Sequence, residues 1–395
     1  MAEQSRVEQI MEGIAQSRLD EVRSILNKET LTPLVCKALK RAKIEIQTWE
    51  CIQVKGGISG NQIYNISGRG TAEKDPVSWS LFLKILNQST DIISLSDTDW
   101  KREPLAYQSG LLDDLPGGLR AAECYRLEHV SDTEIWMWLE DVSEPEGTAW
   151  SLERYGLAAR HLGQLNGAYL MDCSLPSNDW LVRTFERNAV PRDCNLEAFN
   201  VSLDYLQGHN FLSSTSVRSA TRLWEEKEHF MTHLYDRLPQ TFSHLDTDRR
   251  NVFSQTQADG SEETVAIDWG LVGIAAIGEE LRRLVSLNLF LRFVGIDQAN
   301  ELYAVALEGY LKGLKEAGWR DNPDLVRYGC AAATGLSFLR MCSLFGTIIP
   351  DEDKRAWDEQ QSGRTFDETM AIWAQITSFS LELVDEARDL GRTLF

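Results

Sequence analysis

The feature that most constrains the fold of this chain is a change in hydrophobic periodicity near Val142. From Ala42 onwards, short runs such as IEIQTWECIQV, VSWSLFLKIL and TEIWMWLEDV are rich in β-branched and aromatic residues, a pattern that predicts strands. Beyond the polar segment SEPEGTA, apolar residues recur at helical spacing, as at Leu157, Leu162 and Leu165. The sequence therefore predicts an α+β chain, with a small antiparallel sheet first and a larger, mainly helical part after it.

The change of periodicity predicts two domains. Residues 1–142 join a helical leader to the β-rich part, and residues 143–395 form the helical part. Residues 98–112 are expected to be a helix inserted into the sheet region. In the helical domain, residues 251–254 and 264–267 are β-rich and are joined through an Asp-Gly turn, which predicts one embedded hairpin.

Composition and net charge argue against several classes of protein, including nucleic-acid-binding, membrane-binding and secreted proteins. Apolar residues make up 43% of the 395 residues, which is the composition of an ordinary globular protein. The formal net charge of -20 argues against non-specific binding to nucleic acid or to an anionic membrane. The seven cysteines are scattered without a C-x-x-C pair, and the first residues lack the apolar core of a signal peptide. We therefore expect a cytoplasmic protein with neither nucleic acid nor membrane as a partner.

The most informative stretch runs from His244 to Asn251, with the sequence HLDTDRRN, and is followed after the hairpin by Asp268 in I-D-W-G. Phosphoryl transfer needs a carboxylate that accepts the proton of the attacking hydroxyl, and oxygen ligands that hold Mg²⁺ against the phosphates. Asp246 suits the first role. Asn251 and Asp268 suit the second, because Mg²⁺ prefers oxygen ligands and is completed by water and phosphate.

An H-x-D-x-x-x-x-N string, a tight hairpin and an apolar strand ending in D-W-G resemble the catalytic and metal-binding loops of the protein-kinase-like superfamily. The match is closest to the aminoglycoside phosphotransferase and choline kinase-like family, and it covers roughly residues 43–285. The resemblance implies a protein-kinase-like two-lobed fold, in which Asp246 is the catalytic base. It also implies that Asn251 and Asp268 are metal ligands and that His244 braces the loop.

The resemblance assigns nucleotide-binding parts to the first domain. Gly56, Gly57 and Gly60 lie between two predicted strands, where glycine lets backbone N–H groups approach phosphates, although a glycine-rich hairpin turn is by itself the commoner explanation. Lys84, at the end of a predicted strand, would contact the phosphates, and Glu103 on the following helix would orient it. The structural alternatives are an exposed strand lysine and an acidic residue favoured at a helix N-terminus.

Three further residues are assigned by the resemblance. Glu140 and Val142 lie where the family's hinge presents backbone groups to adenine, with ordinary sheet core as the alternative. Glu280, which follows a glycine-containing loop, matches the acidic residue that opens a helix and would support the catalytic loop.

Two positions in the catalytic string depart from the family's pattern. Leu245 stands where the family usually has glycine, and Asp248 stands where it often has histidine. Asp248 adds negative charge near the expected phosphate, and Arg249 and Arg250 are candidates to offset it. These departures leave nucleotide preference and turnover open.

The resemblance implies a small-molecule kinase that uses Mg²⁺ and transfers the terminal phosphoryl group of ATP or GTP to a hydroxyl of a small acceptor. An aminoglycoside, an amino-alcohol and a sugar all fit as acceptors. The alternative is a catalytically weak or inactive kinase-fold protein that binds nucleotide and regulates. A zinc hydrolase at His229 and His233 is disfavoured, because Phe230 occupies the position of the catalytic glutamate of such enzymes.

Overall fold

The structure is a computed structural model with a mixed α+β fold, as the sequence predicts. The described residues are 16–54, 61–88, 99–142, 144, 149–257 and 259–395. The chain divides into two compact units. Unit 1 comprises Met1–Ser109 and Ala122–Ser143, and unit 2 comprises Gly110–Ala121 and Glu144–Phe395.

Unit 1 is built on an antiparallel sheet. The first six strands of the chain are β1 (Glu45–Val54), β2 (Gln62–Ala72), β3 (Asp75–Asn87), β4 (Leu119–Ala121), β5 (Cys124–Ser131) and β6 (Glu134–Glu140). All of them except β4 form one five-stranded sheet in the order β1-β2-β3-β6-β5, and every neighbouring pair is antiparallel. The small antiparallel sheet predicted from the alternating runs is confirmed.

The leader helices cover one face of this sheet. Helix α1 spans residues 16–25 and α2 spans Lys28–Ala38, where the Asn27 side chain caps the helix by accepting a hydrogen bond from the Thr30 N–H at 2.8 Å. The helices bury apolar side chains in one cluster with sheet residues, and burial of such side chains is the main driving force for docking the leader. This cluster includes Val22, Leu31, Leu34, Val35, Tyr64, Trp79 and Leu81.

The helix predicted over residues 98–112 is shorter than expected. Helix α3 spans Arg102–Gln108 and is preceded by a 3₁₀ turn at Asp99–Lys101. Pro104 lies in the first turn of α3, where a missing backbone N–H removes no intrahelical hydrogen bond.

Unit 2 is mainly helical and contains two small sheets. The helices are α4 (Leu152–Met171), α5 (Phe185–Asp193), α6 (Leu196–Gly208), α7 (Ser214–Asp236), α8 (Asn288–Phe290), α9 (Ala299–Glu316), α10 (Asp324–Ile348), α11 (Glu352–Ser362) and α12 (Phe366–Leu394). The strands are β7 (Val182–Arg183), β8 (Gln240–Ser243), β9 (Val252–Thr256), β10 (Glu262–Ala266) and β11 (Gly273–Ala276). A π-helical stretch, Arg283–Leu287, leads directly into α8.

Helices α4 and α9 approach each other closely beneath the small sheets. A Cβ at Gly163 would overlap the carbonyl oxygen of Tyr310, and one at Gly313 would overlap that of Arg160. Glycine at these positions therefore permits the approach. At this close approach, Asn166 of α4 accepts a hydrogen bond from Tyr310 Oη of α9 at 2.6 Å and donates one to the carbonyl of Phe242 in β8 at 2.8 Å.

The prediction of a single β-hairpin among the helices is correct for β9 and β10 but incomplete. β10 also pairs in parallel with β4, and β11 pairs with both β7 and β8. The pairing with β10 places residues 110–121 in unit 2, although the sequence assigned them to a domain ending at residue 142. The missed strands β4, β7, β8 and β11 have two to four residues each, which is too short to show a period, so the sequence pattern did not reveal them.

Helix α10 is long and apolar enough to cross a membrane by length and composition. It is the one such helix among the described residues, and 67% of its most apolar window is buried inside the fold. A core helix of a soluble protein has the same properties.

Candidate active site

The loop from His244 to Asn251 connects β8 to β9, and the Glu280 side chain holds it by hydrogen bonds to its backbone. Glu280 Oε1 accepts hydrogen bonds from the backbone N–H groups of His244 at 2.7 Å and Leu245 at 3.1 Å. Leu245 is buried and has a φ of 67°, a left-handed conformation that favours glycine. The carboxylate therefore secures the two amides at the most strained point of the loop. Burial raises the pKa of Glu280 to about 7.

His244 joins the catalytic loop to the strand that precedes Asp268. Its Nδ1 accepts a hydrogen bond from the Asp246 N–H at 3.1 Å, and its Nε2 lies 2.8 Å from the carbonyl oxygen of Ile267. Because a carbonyl only accepts, Nε2 carries the proton and the ring is neutral. Burial lowers the pKa of His244, and the ring packs against Trp269. Because both ring nitrogens are engaged with backbone groups, His244 is suited to holding the loop in place and not to accepting a proton from a substrate.

Asp246 is held between two donors and stays partly accessible. Its Oδ1 pairs with Arg283 Nη1 at 3.0 Å, its Oδ2 accepts from Asn251 Nδ2 at 3.0 Å, and 19% of its side chain is exposed. Burial raises the pKa of Asp246, and the Arg283 guanidinium opposes part of that rise. The carboxylate is thus oriented while retaining lone pairs for a further proton.

The residues predicted to hold Mg²⁺ offer suitable oxygens. Asn251 Nδ2 donates to the carbonyl of Asp246 at 2.9 Å as well as to its carboxylate, so Oδ1 is the atom of the Asn251 amide left as an acceptor. The Asn251 carbonyl accepts from the Ile267 N–H at 2.9 Å, which brings Asn251 beside the backbone that leads to Asp268. Asp268 is half-buried, with a φ of 58°.

An amide oxygen and a carboxylate fit Mg²⁺ when phosphate oxygens and water complete its coordination. Within the part of the chain that the structure describes, no group of three His, Cys, Asp or Glu side chains could hold a metal ion.

The negative charge of Asp248 is compensated inside the loop. Asp248 is fully buried and accepts hydrogen bonds from the Arg250 N–H, Nε and Nη2 at 2.8 to 2.9 Å. Arg249 pairs with Glu144 at 2.5 Å and lies over the Trp150 ring. Of the two arginines proposed to offset Asp248, Arg250 does so, whereas Arg249 is directed elsewhere.

In unit 1, Lys84 and Glu103 form a buried ion pair. Lys84 Nζ lies 2.5 Å from Glu103 Oε2, and both side chains are more than nine-tenths buried. The alternative of an exposed strand lysine is therefore wrong. Lys84 lies inside β3, which continues to Asn87, so it does not end the strand as predicted. The pair exists as the resemblance implies, and its contact with phosphate stays a prediction.

The remaining residues predicted to bind nucleotide are Glu140, Val142 and three glycines. Glu140 ends β6; its N–H donates to the Glu123 carbonyl and its Oε2 accepts from the Glu123 N–H, both at 2.9 Å. Val142 is buried. The contact of these residues with adenine stays a prediction. Gly56, Gly57 and Gly60 lie outside the described residues.

Sequence reasoning missed two residues that hold the loop from His244 to Asn251. Arg283 pairs with Asp246, and the buried Asn288 accepts a hydrogen bond from the Arg249 N–H at 3.0 Å. Arg283 follows Glu280 by three residues, which is one helical turn, so helical spacing from Glu280 was a usable indication. No comparable pattern marks Asn288.

Comparisons with known proteins agree with this fold. No family model matches the chain, and no curated protein matches it. Among solved structures, a microcompartment-associated aminopropanol kinase matches with a TM-score of 0.52 at 12% identity, covering 86% of this chain and 95% of its own. An amicoumacin kinase matches with a TM-score of 0.48 at 14% identity, covering 90% and 97%. A spectinomycin phosphotransferase matches with a TM-score of 0.43 at 12% identity, covering 91% and 97%.

The fold of this chain is that of the protein-kinase-like phosphotransferases. It is the fold that the resemblance of the string from His244 to Asn251 implied. At these identities the likeness is one of fold.

Proposed function

We propose that this protein is a small-molecule kinase that transfers the terminal phosphoryl group of ATP or GTP to a hydroxyl of a small acceptor. The geometry of Asp246 carries the proposal. A partly exposed carboxylate is oriented by Asn251 and Arg283, on a loop that His244 and Glu280 hold in place. Phosphoryl transfer depends mainly on such positioning and on electrostatic stabilisation.

In the proposed reaction, Asp246 accepts the proton of the acceptor hydroxyl while the oxygen attacks the terminal phosphorus. A new P–O bond forms, the bond to the bridging oxygen breaks, and the nucleoside diphosphate leaves with the electron pair. Asn251 and Asp268 would hold Mg²⁺, which supplies neutralisation of the phosphate charge when bound. We assign Lys84 to the nucleotide phosphates, with Glu103 keeping its ammonium in one orientation.

We further propose that the protein acts in the cytoplasm, where nucleoside triphosphates are abundant. All seven cysteines are free, which is compatible with a reducing compartment.

A nucleotide-binding regulator without turnover is the second candidate. The ion pair between Arg283 and Asp246 favours it, because a guanidinium on the base lowers its proton affinity and occupies one of its oxygens. Against it, the buried Lys84–Glu103 pair and the orientation of Asn251 toward Asp246 reproduce the parts that transfer needs.

The test is transfer of phosphate from ATP or GTP to a panel of small hydroxylated compounds, with Mg²⁺ present or removed by chelation. Mass spectrometry detects the phosphorylated acceptor and coupled assays measure nucleotide consumption. Metal-dependent product formation supports the kinase. Saturable nucleotide binding with no product from any acceptor would move the regulatory candidate ahead.

A further inference from the structure

A cavity in unit 2 adjoins the proposed base. Its volume is about 380 Å³, within the ~300–1,000 Å³ of small-molecule sites. The cavity is bordered by the end of α5, the π-helical stretch with α8, and helices α10 and α12. Arg283 lines it and also contacts Asp246. Arg283 therefore connects the cavity to the carboxylate that would accept a proton.

The charged residues that line the cavity are mostly basic. They are Arg282, Arg283 and Arg340, with Asp193 as the acidic one. Asp193 is engaged by Arg340, whose Nε and Nη2 lie 2.8 Å from Asp193 Oδ2. The lining therefore contains three guanidinium groups and one carboxylate, an excess of positive charge that is unusual in a protein with a net charge of -20.

Part of the positive charge of the lining arginines is balanced by a carboxylate that does not line the cavity. Glu186, which is fully buried and does not line the cavity, lies 3.4 Å from Arg282 and 3.5 Å from Arg340. Its contacts explain how two arginines are retained in the interior. They leave the cavity surface itself rich in donors, because a guanidinium has five N–H groups.

In the part of the chain that the structure describes, several N–H donors of the cavity lining have no acceptor. Arg282 Nε, Arg283 Nε and Trp373 Nε1 are buried and find no hydrogen-bond partner among the described residues, and all three residues line the cavity. Arg282 and Trp373 are more than nine-tenths buried. Buried N–H groups without a partner are uncommon in native proteins and cost free energy, so a ligand that accepts hydrogen bonds would stabilise this cavity.

Another part of the cavity lining is apolar and aromatic. Phe290 packs edge-on against Trp373, with ring centroids 5.8 Å apart, and Phe338 stacks on Trp373 at 6.0 Å. Leu287 and Met341 extend this surface. Such a surface favours a ligand with a flat or branched apolar body.

We propose that this cavity is the acceptor site and that it takes an anionic small molecule, with a carboxylate or phosphate on Arg282, Arg283 and Arg340 and an apolar body against Trp373. Planar guanidinium groups match these oxyanions geometrically. Because Arg283 contacts both the cavity and Asp246, the hydroxyl that receives phosphate lies within a few bonds of the anion. A polycationic aminoglycoside would meet like charge here. The inference rests on the proposed kinase function, through the role of Asp246.

The experiment compares acceptors that share one body and differ in charge. Mandelate, mandelamide and phenylglycinol each carry a phenyl ring and a hydroxyl, with an anionic, a neutral and a cationic group respectively. Glycerol phosphate separates phosphate from carboxylate recognition. Binding is measured by calorimetry without nucleotide, and transfer is measured with ATP and Mg²⁺. We expect an anionic probe to bind at least about tenfold more tightly than the neutral and cationic ones, the scale of a charge-assisted hydrogen bond.

Variants test the assignment of residues. Arg282→Gln and Arg340→Gln are expected to weaken anion binding by roughly ten- to a hundredfold and to leave mandelamide binding unchanged. Arg222→Gln, at an arginine whose side chain is 59% exposed, is the matched control and changes neither. Should Arg340→Gln fold poorly, Trp373→Phe removes one unpartnered donor with little change of shape and should weaken anion binding on its own.

Failure of every anionic probe to bind, or binding that is insensitive to Arg282→Gln and to Trp373→Phe, overturns the inference. Arginine-dependent binding of an anion that is never phosphorylated overturns the assignment of this cavity as the acceptor site, whereas the kinase function fails only if no acceptor of any charge is phosphorylated. Phosphorylation of phenylglycinol or an aminoglycoside that is indifferent to the arginines supports the kinase function and overturns the anionic acceptor.

Discussion

Replacing Asp246 by Asn removes the proposed base while keeping the shape of the side chain. The carboxylate accepts from Arg283 on one oxygen and from Asn251 on the other, each at 3.0 Å. An amide keeps one of these bonds and turns its NH₂ toward the second donor. That donor then lacks a partner, which costs about 1–3 kcal/mol of folding free energy.

The loss of turnover is a separate effect from this folding cost, because turnover is measured per folded molecule. A positioned general base contributes ~10²–10⁴-fold, so kcat should fall by about 10²-fold or more. Nucleotide affinity should stay near the wild-type value, because Asp246 is assigned to the acceptor hydroxyl and not to the phosphates. The assay pairs calorimetric binding of a non-hydrolysable nucleotide with steady-state transfer.

Asp248→Asn is the matched control, since it removes the same charge two residues away. Asp248 is buried and accepts hydrogen bonds from the Arg250 guanidinium, so Asp248→Asn should lower the free energy of unfolding, measured by chemical denaturation. Turnover per folded molecule should stay close to the wild-type value. Normal turnover in Asp246→Asn, or an equal loss in Asp248→Asn, would refute the assignment of the base.

Three further predictions concern residues of the candidate site and the residues that support it. Asp268→Asn should weaken Mg²⁺-dependent nucleotide binding and transfer together; calorimetry with and without Mg²⁺ checks this, and intact metal-dependent binding would contradict it. Burial raises the pKa of Glu279 and of Glu280 from 4.5 to about 7, so their contribution to stability is complete below about pH 4.5 and is lost as the pH rises through about 7. Glu280→Gln should therefore flatten the decline in unfolding free energy over that interval, and an unchanged slope in denaturation series would argue against the raised value. Because Leu245 has a φ of 67°, Leu245→Gly should be less destabilising than Leu245→Ala by about 1 kcal/mol, although both lose a buried side chain; the reverse order in chemical denaturation would contradict the strain argument.

The sequence alone determined the parts of this protein that depend on local pattern. Alternating apolar residues marked the strands that form the five-stranded sheet, and the Asp-Gly turn marked the β9–β10 hairpin. The catalytic string from His244 to Asn251 with Asp268 identified the candidate site, because the spacing of loop, hairpin and strand is itself a local property. The buried pair of Lys84 and Glu103 followed from the resemblance to a known family.

Only the tertiary structure decided the contacts between residues far apart in the chain. β4 pairs with β10, more than a hundred residues away, and a three-residue strand has no period by which to recognise it. The ion pair of Arg283 with Asp246, and the convergence of Arg282 and Arg340 on one cavity, likewise bring together elements that are separate in the chain. Such contacts depend on how whole elements pack, and packing follows from the burial of many side chains at once, which neither local propensity nor periodicity encodes.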